Sequence, residues 1–173
     1  MRSGGYHAVS FRDLAADVGI KSASVHYHFP QKEHLGRALV ARYAERFAQI
    51  LADTCADSSN YRARVRAICE AYERALTSGG AVCLCGLLGS EAAGLPQAVV
   101  LEVSAFFHAQ THWLAVGSFP DAPTHSPVDA QCTNAAALAR ARVLIATLQG
   151  AMMMAVVARD PQQFAVTMQA ALE

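Results

Sequence analysis

The stretch SFRDLAADVGIKSASVHYHFPQKEHL, residues 10–35, decides the fold. Ser10 stands ahead of Phe11, Arg12 and Asp13; its hydroxyl can accept from an amide three residues on, and Asp13 suits the positive end of a helix. Gly19 supplies the backbone freedom that ends such a helix. A second short helix, from about Ser22 to His28, must stop before Pro30, whose ring disfavours helical geometry in the residue ahead of it. From about Gln31 a longer helix follows, with Leu35, Leu39, Tyr43, Phe47 and Leu51 on one stripe. Two short helices joined by a glycine-containing turn, then a longer one, form a helix-turn-helix pattern whose second helix enters the major groove of DNA. The residues of that second helix fit such a place. Lys21, Ser22, Ser24, His26, Tyr27 and His28 offer donors to phosphates and base edges, while Val25 and Phe29 can anchor the helix.

Outward from this head, apolar residues keep recurring at three and four and strand signals are nearly absent, so an all-α fold is expected. Val65, Ile68, Cys69, Tyr72 and Leu76 form the inward face of a helix that Ser78, Gly79 and Gly80 close. A short apolar helix spans about Leu84 to Ala93, and beyond Gly94, Leu95 and Pro96 another carries Val99, Val103, Phe106, Phe107, Gln110 and Leu114. Pro120, Pro123 and Pro127 mark the long linker. Past it, Leu138, Ala141, Ile145, Leu148, Met152 and Ala155 belong to a helix apolar almost all round, and Asp160-Pro161 restarts a final one. The expected division is a helix-turn-helix region at 1–47 and a larger helical ligand-binding and dimerisation domain at 48–173.

Of the 173 residues, 53% are hydrophobic, which supports a packed core and argues against disorder. Formal net charge is zero, but residues 1–47 hold seven Lys or Arg against four acids, a basic head on a mildly acidic body. Five cysteines, Cys55, Cys69, Cys83, Cys85 and Cys132, are scattered without the close spacing of a small secreted domain, so a reducing, cytoplasmic setting is expected. No signal peptide is visible, and the charge-free stretch from Val143 to Ala158 falls short of the roughly 20 residues of a membrane span.

Residues 10–35 closely resemble the DNA-binding signature of TetR-type (TetR/AcrR) transcriptional regulators: Leu14-Ala15, Gly19, His28-Phe29, Lys32 and Leu35 all agree with its pattern. The resemblance implies that Ser10, Lys21, Ser22, Ser24, Tyr27 and Lys32 touch DNA, with Lys32 holding a phosphate. Where the family usually carries a phosphate-contacting Tyr this chain has His26, whose protonation at lower pH would strengthen that contact. The family also carries a helix ahead of the turn matching Ser3 to Tyr6, and Met1 falls inside that turn. The expectation is a head whose first helix is missing or truncated, loosened around Leu14, Ala15, Val18 and Val25 and binding DNA weakly.

The body resembles the family in layout. CLCGLLGSE, residues 83–91, followed by Leu95-Pro96, is similar to a pattern that part of the family carries at the start of its effector pocket. Candidate ligand contacts are Cys83, Phe107, His108, His112, Trp113 and Met152. The effector would be small and apolar, or electrophilic if Cys83 or Cys85 at a helix start is a reactive thiolate. His108 and His112 sit at the spacing of two metal ligands, but lack the Glu of a hydrolytic zinc site and a defined third ligand; no metal and no cofactor are expected. Two other readings are an interaction module whose incomplete head no longer binds DNA, and an enzyme using Cys83 or the histidine pair. No Cys-His or carboxylate pairing at suggestive spacing supports the enzyme, so none is expected. A ligand-responsive repressor would bind palindromic operator DNA as a homodimer, joined through the stretch from Leu138 to Met168. There Ala146, Gly150, Ala151 and Ala155 would permit close approach, and Arg at Ile145 or Leu148 would break the contact.

Overall fold

The computed structural model describes residues 1–2, 4–55, 60–116 and 135–172. Among these residues it is all-helical, with no strand. The helices are α1 (Phe11–Val18), α2 (Ser22–His28), α3 (Lys32–Thr54), α4 (Tyr61–Gly79), α5 (Leu84–Ser90), α6 (Gln97–Val116), α7 (Ala135–Ala158) and α8 (Gln162–Leu172). The expected proline-marked linker and Cys132 lie outside the described residues. The apolar segment expected to run as one helix to Ala93 ends at Ser90 and continues as a tighter 3-10 turn at Ala92–Gly94. There the Gly94 amide reaches back only to the Glu91 carbonyl, at 2.8 Å, just before Leu95-Pro96 turns the chain.

The described residues gather into two compact units, Met1–Glu45 with Leu84–Phe106, and Arg46–Cys83 with Phe107–Glu173. In the first, the amino-terminal segment is tied down by α3 and by the segment around α5 and the start of α6. Tyr6 is buried; its amide donates to Glu91 Oε2 at 2.8 Å, and Lys32 Nζ lies 4.7 Å from its ring centroid. Burial pushes the Tyr6 phenol above its ordinary value, and the Glu33 carboxylate adds to the rise. Gly36 of α3 faces Tyr6 and Val99 with no room for a side chain, and Gly5, at φ 78°, faces the Glu91 carboxylate. Arg37 of α3 pairs with Glu102 of α6 at 3.4 Å.

In the second unit, Asn60 caps α4 by accepting from the amides of Arg62 at 2.9 Å and Ala63 at 3.3 Å. The face expected to point inward, Val65, Ile68, Cys69, Tyr72 and Leu76, is buried. Arg64 is buried beside it and donates from Nε to the Leu114 carbonyl at 3.2 Å, near the end of α6, where unpaired carbonyls attract a cation. Helix α7 packs on α8 and on α4. Its Ala141, Leu144, Ile145, Leu148, Ala151, Met152 and Ala155 are buried within the chain, with Phe164 and Met168 of α8. Ile145, Leu148, Ala151 and Ala155 are thus buried within the single chain, which corrects their expected place in a contact with a second one. Arg159 ends α7 in the left-handed region at φ 54°, the only described non-glycine residue there.

Gly36→Ala sets a helix-propensity gain of about 1 kcal/mol against forced movement of two packed side chains. An added Cβ would lie 2.9 Å from Tyr6 Cε2 and 3.0 Å from Val99 Cγ2, and both neighbours are buried, so the clash wins. The expected outcome is a net loss of about 1–2 kcal/mol in a urea melt, within the cost of overpacking.

Candidate nucleic-acid interface

Helix α1 begins as its sequence dictates: Ser10 Oγ accepts from the Asp13 amide at 3.1 Å. It ends in a Schellman turn, with the Ile20 amide donating to Ala15 O at 2.9 Å and the Gly19 amide to Ala16 O at 3.2 Å. Gly19 takes the left-handed φ of 76° that this closure needs. The chain then re-enters helix at Ser22, and α2 packs on α1.

That packing gives α2 two faces. Val25 is 4% exposed, whereas Tyr27 is 83% exposed, the largest value among the exposed large hydrophobic residues. Lys21, Ser24, His26 and His28 are also exposed, and Ser22 and Phe29 are half-buried. The His26 ring stands edge-on to Phe11 of α1 at 4.7 Å between centroids, and Tyr27 and His28 meet edge-on at 5.3 Å. Tyr27 is therefore carried on the side of α2 away from Val25, with Ser24 and His26 at its flanks, while Ser22 and His28, three residues either side of Val25, lie nearer the packed face. Ser10, Lys21, Ser22, Ser24, His26, Tyr27 and His28 fall on one continuous stretch of the head, from the cap of α1 to the end of α2.

Lys32 stands apart from them in one respect. Its Nζ donates to the His7 carbonyl at 3.3 Å and sits over the Tyr6 ring, so it fastens the amino-terminal segment with one N–H and keeps two donors. Sequence reasoning gave Lys32 a phosphate only, and missed that Tyr6 and Glu91 hold the same segment. Of the residues expected to lose support in the head, Ala15 and Val25 are buried, Leu14 is half-buried and Val18 is 61% exposed.

The candidate ligand contacts separate by burial. Cys83, Trp113 and Met152 are buried, Phe107 and His112 half-buried, and His108 exposed. The Cys83 amide donates to Met152 Sδ at 3.2 Å, which brings those two together, and the His108 and His112 rings stack at 6.2 Å. Cys83 and Cys85 are fully buried. Burial, with Glu70 and then Glu73 nearby, pushes the Cys69 thiol up to about 11. Among the described residues no three His, Cys, Asp or Glu side chains gather as a metal site.

An all-helical chain with a capped helix-turn-helix of this form is a DNA-binding regulator by class. A family model, "Bacterial regulatory proteins, tetR family", matches residues 1–39. Among solved structures, a TetR-family transcriptional regulator from Agrobacterium tumefaciens is 31% identical over 98% of this chain and 88% of its own, with a TM-score of 0.79. A TetR transcriptional regulator from Legionella pneumophila is 26% identical over 95% and 84%, with a TM-score of 0.75. The regulatory protein TetR from Rhodobacter sphaeroides, 22% identical over 98% and 89% at a TM-score of 0.77, shares the fold. No curated protein matches. The chain belongs to the TetR family of transcriptional regulators, as residues 10–35 led us to expect.

A phosphate contact, as the family resemblance implies for Lys32, carries no sequence information, so Lys32→Ala should weaken binding to all duplexes about equally and flatten the salt dependence. Tyr27→Ala should instead change which sequences are preferred. Fluorescence anisotropy against a panel of duplexes at several salt concentrations reads both outcomes.

Proposed function

We propose that this chain is a ligand-responsive repressor that binds palindromic operator DNA as a homodimer and is released when a small, mainly apolar effector enters the body. The two-faced helix α2, with Val25 inward and Tyr27 outward, carries this reading. Residues 1–47 serve as the DNA-binding head, with contacts from Ser10, Lys21, Ser22, Ser24, His26, Tyr27, His28 and Lys32. Residues 48–173 bind effector and partner, with Cys83, Phe107, His108, His112, Trp113 and Met152 toward the effector. Full burial of Cys83 and Cys85 favours an apolar effector over an electrophile, which would need an exposed thiolate. Release requires only that the effector bind the two states of the dimer unequally.

Dimerisation through α7 and α8 is supported by what those helices leave uncovered. Val143, Met153, Met154, Val157 and, on α8, Val166 are exposed, and Ala146 and Gly150 lie exposed along α7. An apolar face of this kind marks an interaction site. Helix α7 is long and apolar enough to cross a membrane by composition alone, with 39% of its most apolar window buried. Because its other face is spent on the subunit's own core, we assign the exposed face to a second copy of the chain in the cytoplasm.

Selection from a random duplex library, followed by anisotropy with the enriched sequence, should return a palindrome bound by two chains. An enriched sequence without two-fold symmetry would count against the operator reading. Val157→Arg, at a position 80% exposed, should give a monomer by sedimentation with unchanged helical circular dichroism. A dimer that survives it would move the interface off this face.

A further inference from the structure

Among its described residues the body holds a buried polar assembly that the head and the dimer face do not use. Tyr72 of α4 is fully buried and donates from Oη to Gln110 Oε1 of α6 at 2.8 Å. Gln149 of α7 donates from Nε2 to the same Tyr72 oxygen at 2.7 Å. Gln110 is 1% exposed, and its Nε2 has no hydrogen-bond partner among the described residues.

The donors and acceptors can be followed atom by atom. Gln149 gives an N–H to Tyr72, so the Tyr72 proton needs an acceptor, and the Gln110 carbonyl is that acceptor. Turning the Gln110 amide over would set its N–H groups against an oxygen that already accepts, and would leave the Tyr72 proton without a place. With Gln149 as the donor, the Tyr72 proton goes to Gln110 Oε1, and the two N–H groups of Gln110 stand at the unpaired end. The Thr111 hydroxyl donates to the Phe107 carbonyl at 2.8 Å, and no acceptor among the described residues stands within hydrogen-bond reach of Gln110 Nε2. Buried donors without partners are rare because each carries the full cost of its lost hydration. A leucine or methionine would fill the same apolar helix face without that cost.

We propose that Gln110 Nε2 is the polar anchor of the effector site, and that the effector is a mainly apolar molecule bearing a hydrogen-bond acceptor such as a ketone, ester or amide carbonyl. This rests on the reading of the body as effector-binding and narrows the effector's chemistry. Tyr72 and Gln149 act as positioning residues that hold the amide in one orientation. The carbonyl takes the place of lost water at Nε2, and the rest of the molecule is recognised by shape.

The test uses pairs matched in size and differing in one acceptor: acetophenone against ethylbenzene, and 2-acetylnaphthalene against 2-ethylnaphthalene. In calorimetric titrations of the intact chain, the ketone of at least one pair should bind about tenfold tighter than its hydrocarbon, the ratio expected for one buried hydrogen bond. Gln110→Met should bring the ketone down to the level of the hydrocarbon. Should that variant not fold, ketone labelled with carbon-13 at the carbonyl decides: on binding the unaltered chain its resonance should stay near its value in water, where it is also hydrogen-bonded, instead of moving upfield as it does on transfer to an apolar solvent. Equal affinity within both pairs, or a resonance moved upfield to its value in an apolar solvent, overturns the proposal and leaves an effector-binding body intact. Failure of all four compounds to bind overturns the effector reading along with the proposal.

Discussion

Helices of eight and seven residues, the lengths of α1 and α2, do not hold themselves in water, because nucleating a turn costs more than so few hydrogen bonds return. Everything the head can do therefore depends on contacts that come from outside those two helices' own backbones. Within them, Ala15 and Val25 are the buried side chains, so α1 and α2 stabilise each other through a small apolar seam. The neighbouring amino-terminal segment is held differently. It is pinned by the Tyr6 amide on Glu91, by Lys32 over the Tyr6 ring, and by the close approach of Tyr6 to Gly36. Glu91 and Val99 lie far along the sequence from the head, yet they belong to the same compact unit.

This explains which parts of the protein could be read from its sequence. The Ser10 cap, the Gly19 closure and the stop ahead of Pro30 are local chemistry, and each leaves its mark within four residues. The inward face of α4 followed from period alone, since a single amphipathic helix has one burial direction. The clamp on Tyr6 left no such mark. Nothing in a lone Glu91 says that its carboxylate will meet an amide 85 residues earlier.

The body was least legible where the sequence is most uniform. In α7 apolar residues occur on nearly every face, so periodicity does not separate Leu148, which is fully buried, from Val157, which lies open. Only packing against α4 and α8 breaks that symmetry. The polar exceptions carry more information. Gln110 stands in a row with Val99, Val103, Phe106 and Leu114, and an amide in such a row is a signal in itself. Its consequence became visible only when Tyr72 and Gln149, from two other helices, were seen to share a hydrogen-bond relay with it. Arg64 is the same kind of exception, a cation amid the buried residues of α4.

The Arg64 contact also sets a limit on what can disturb the body. A guanidinium keeps its proton at any acidity a living cell reaches, and the carbonyl it meets at Leu114 has no proton to gain. The hydrogen bond from Arg64 to Leu114 therefore has no titrating acceptor. Acid adds no proton to either side of that bond, whereas matter that competes for the Leu114 carbonyl acts on it directly.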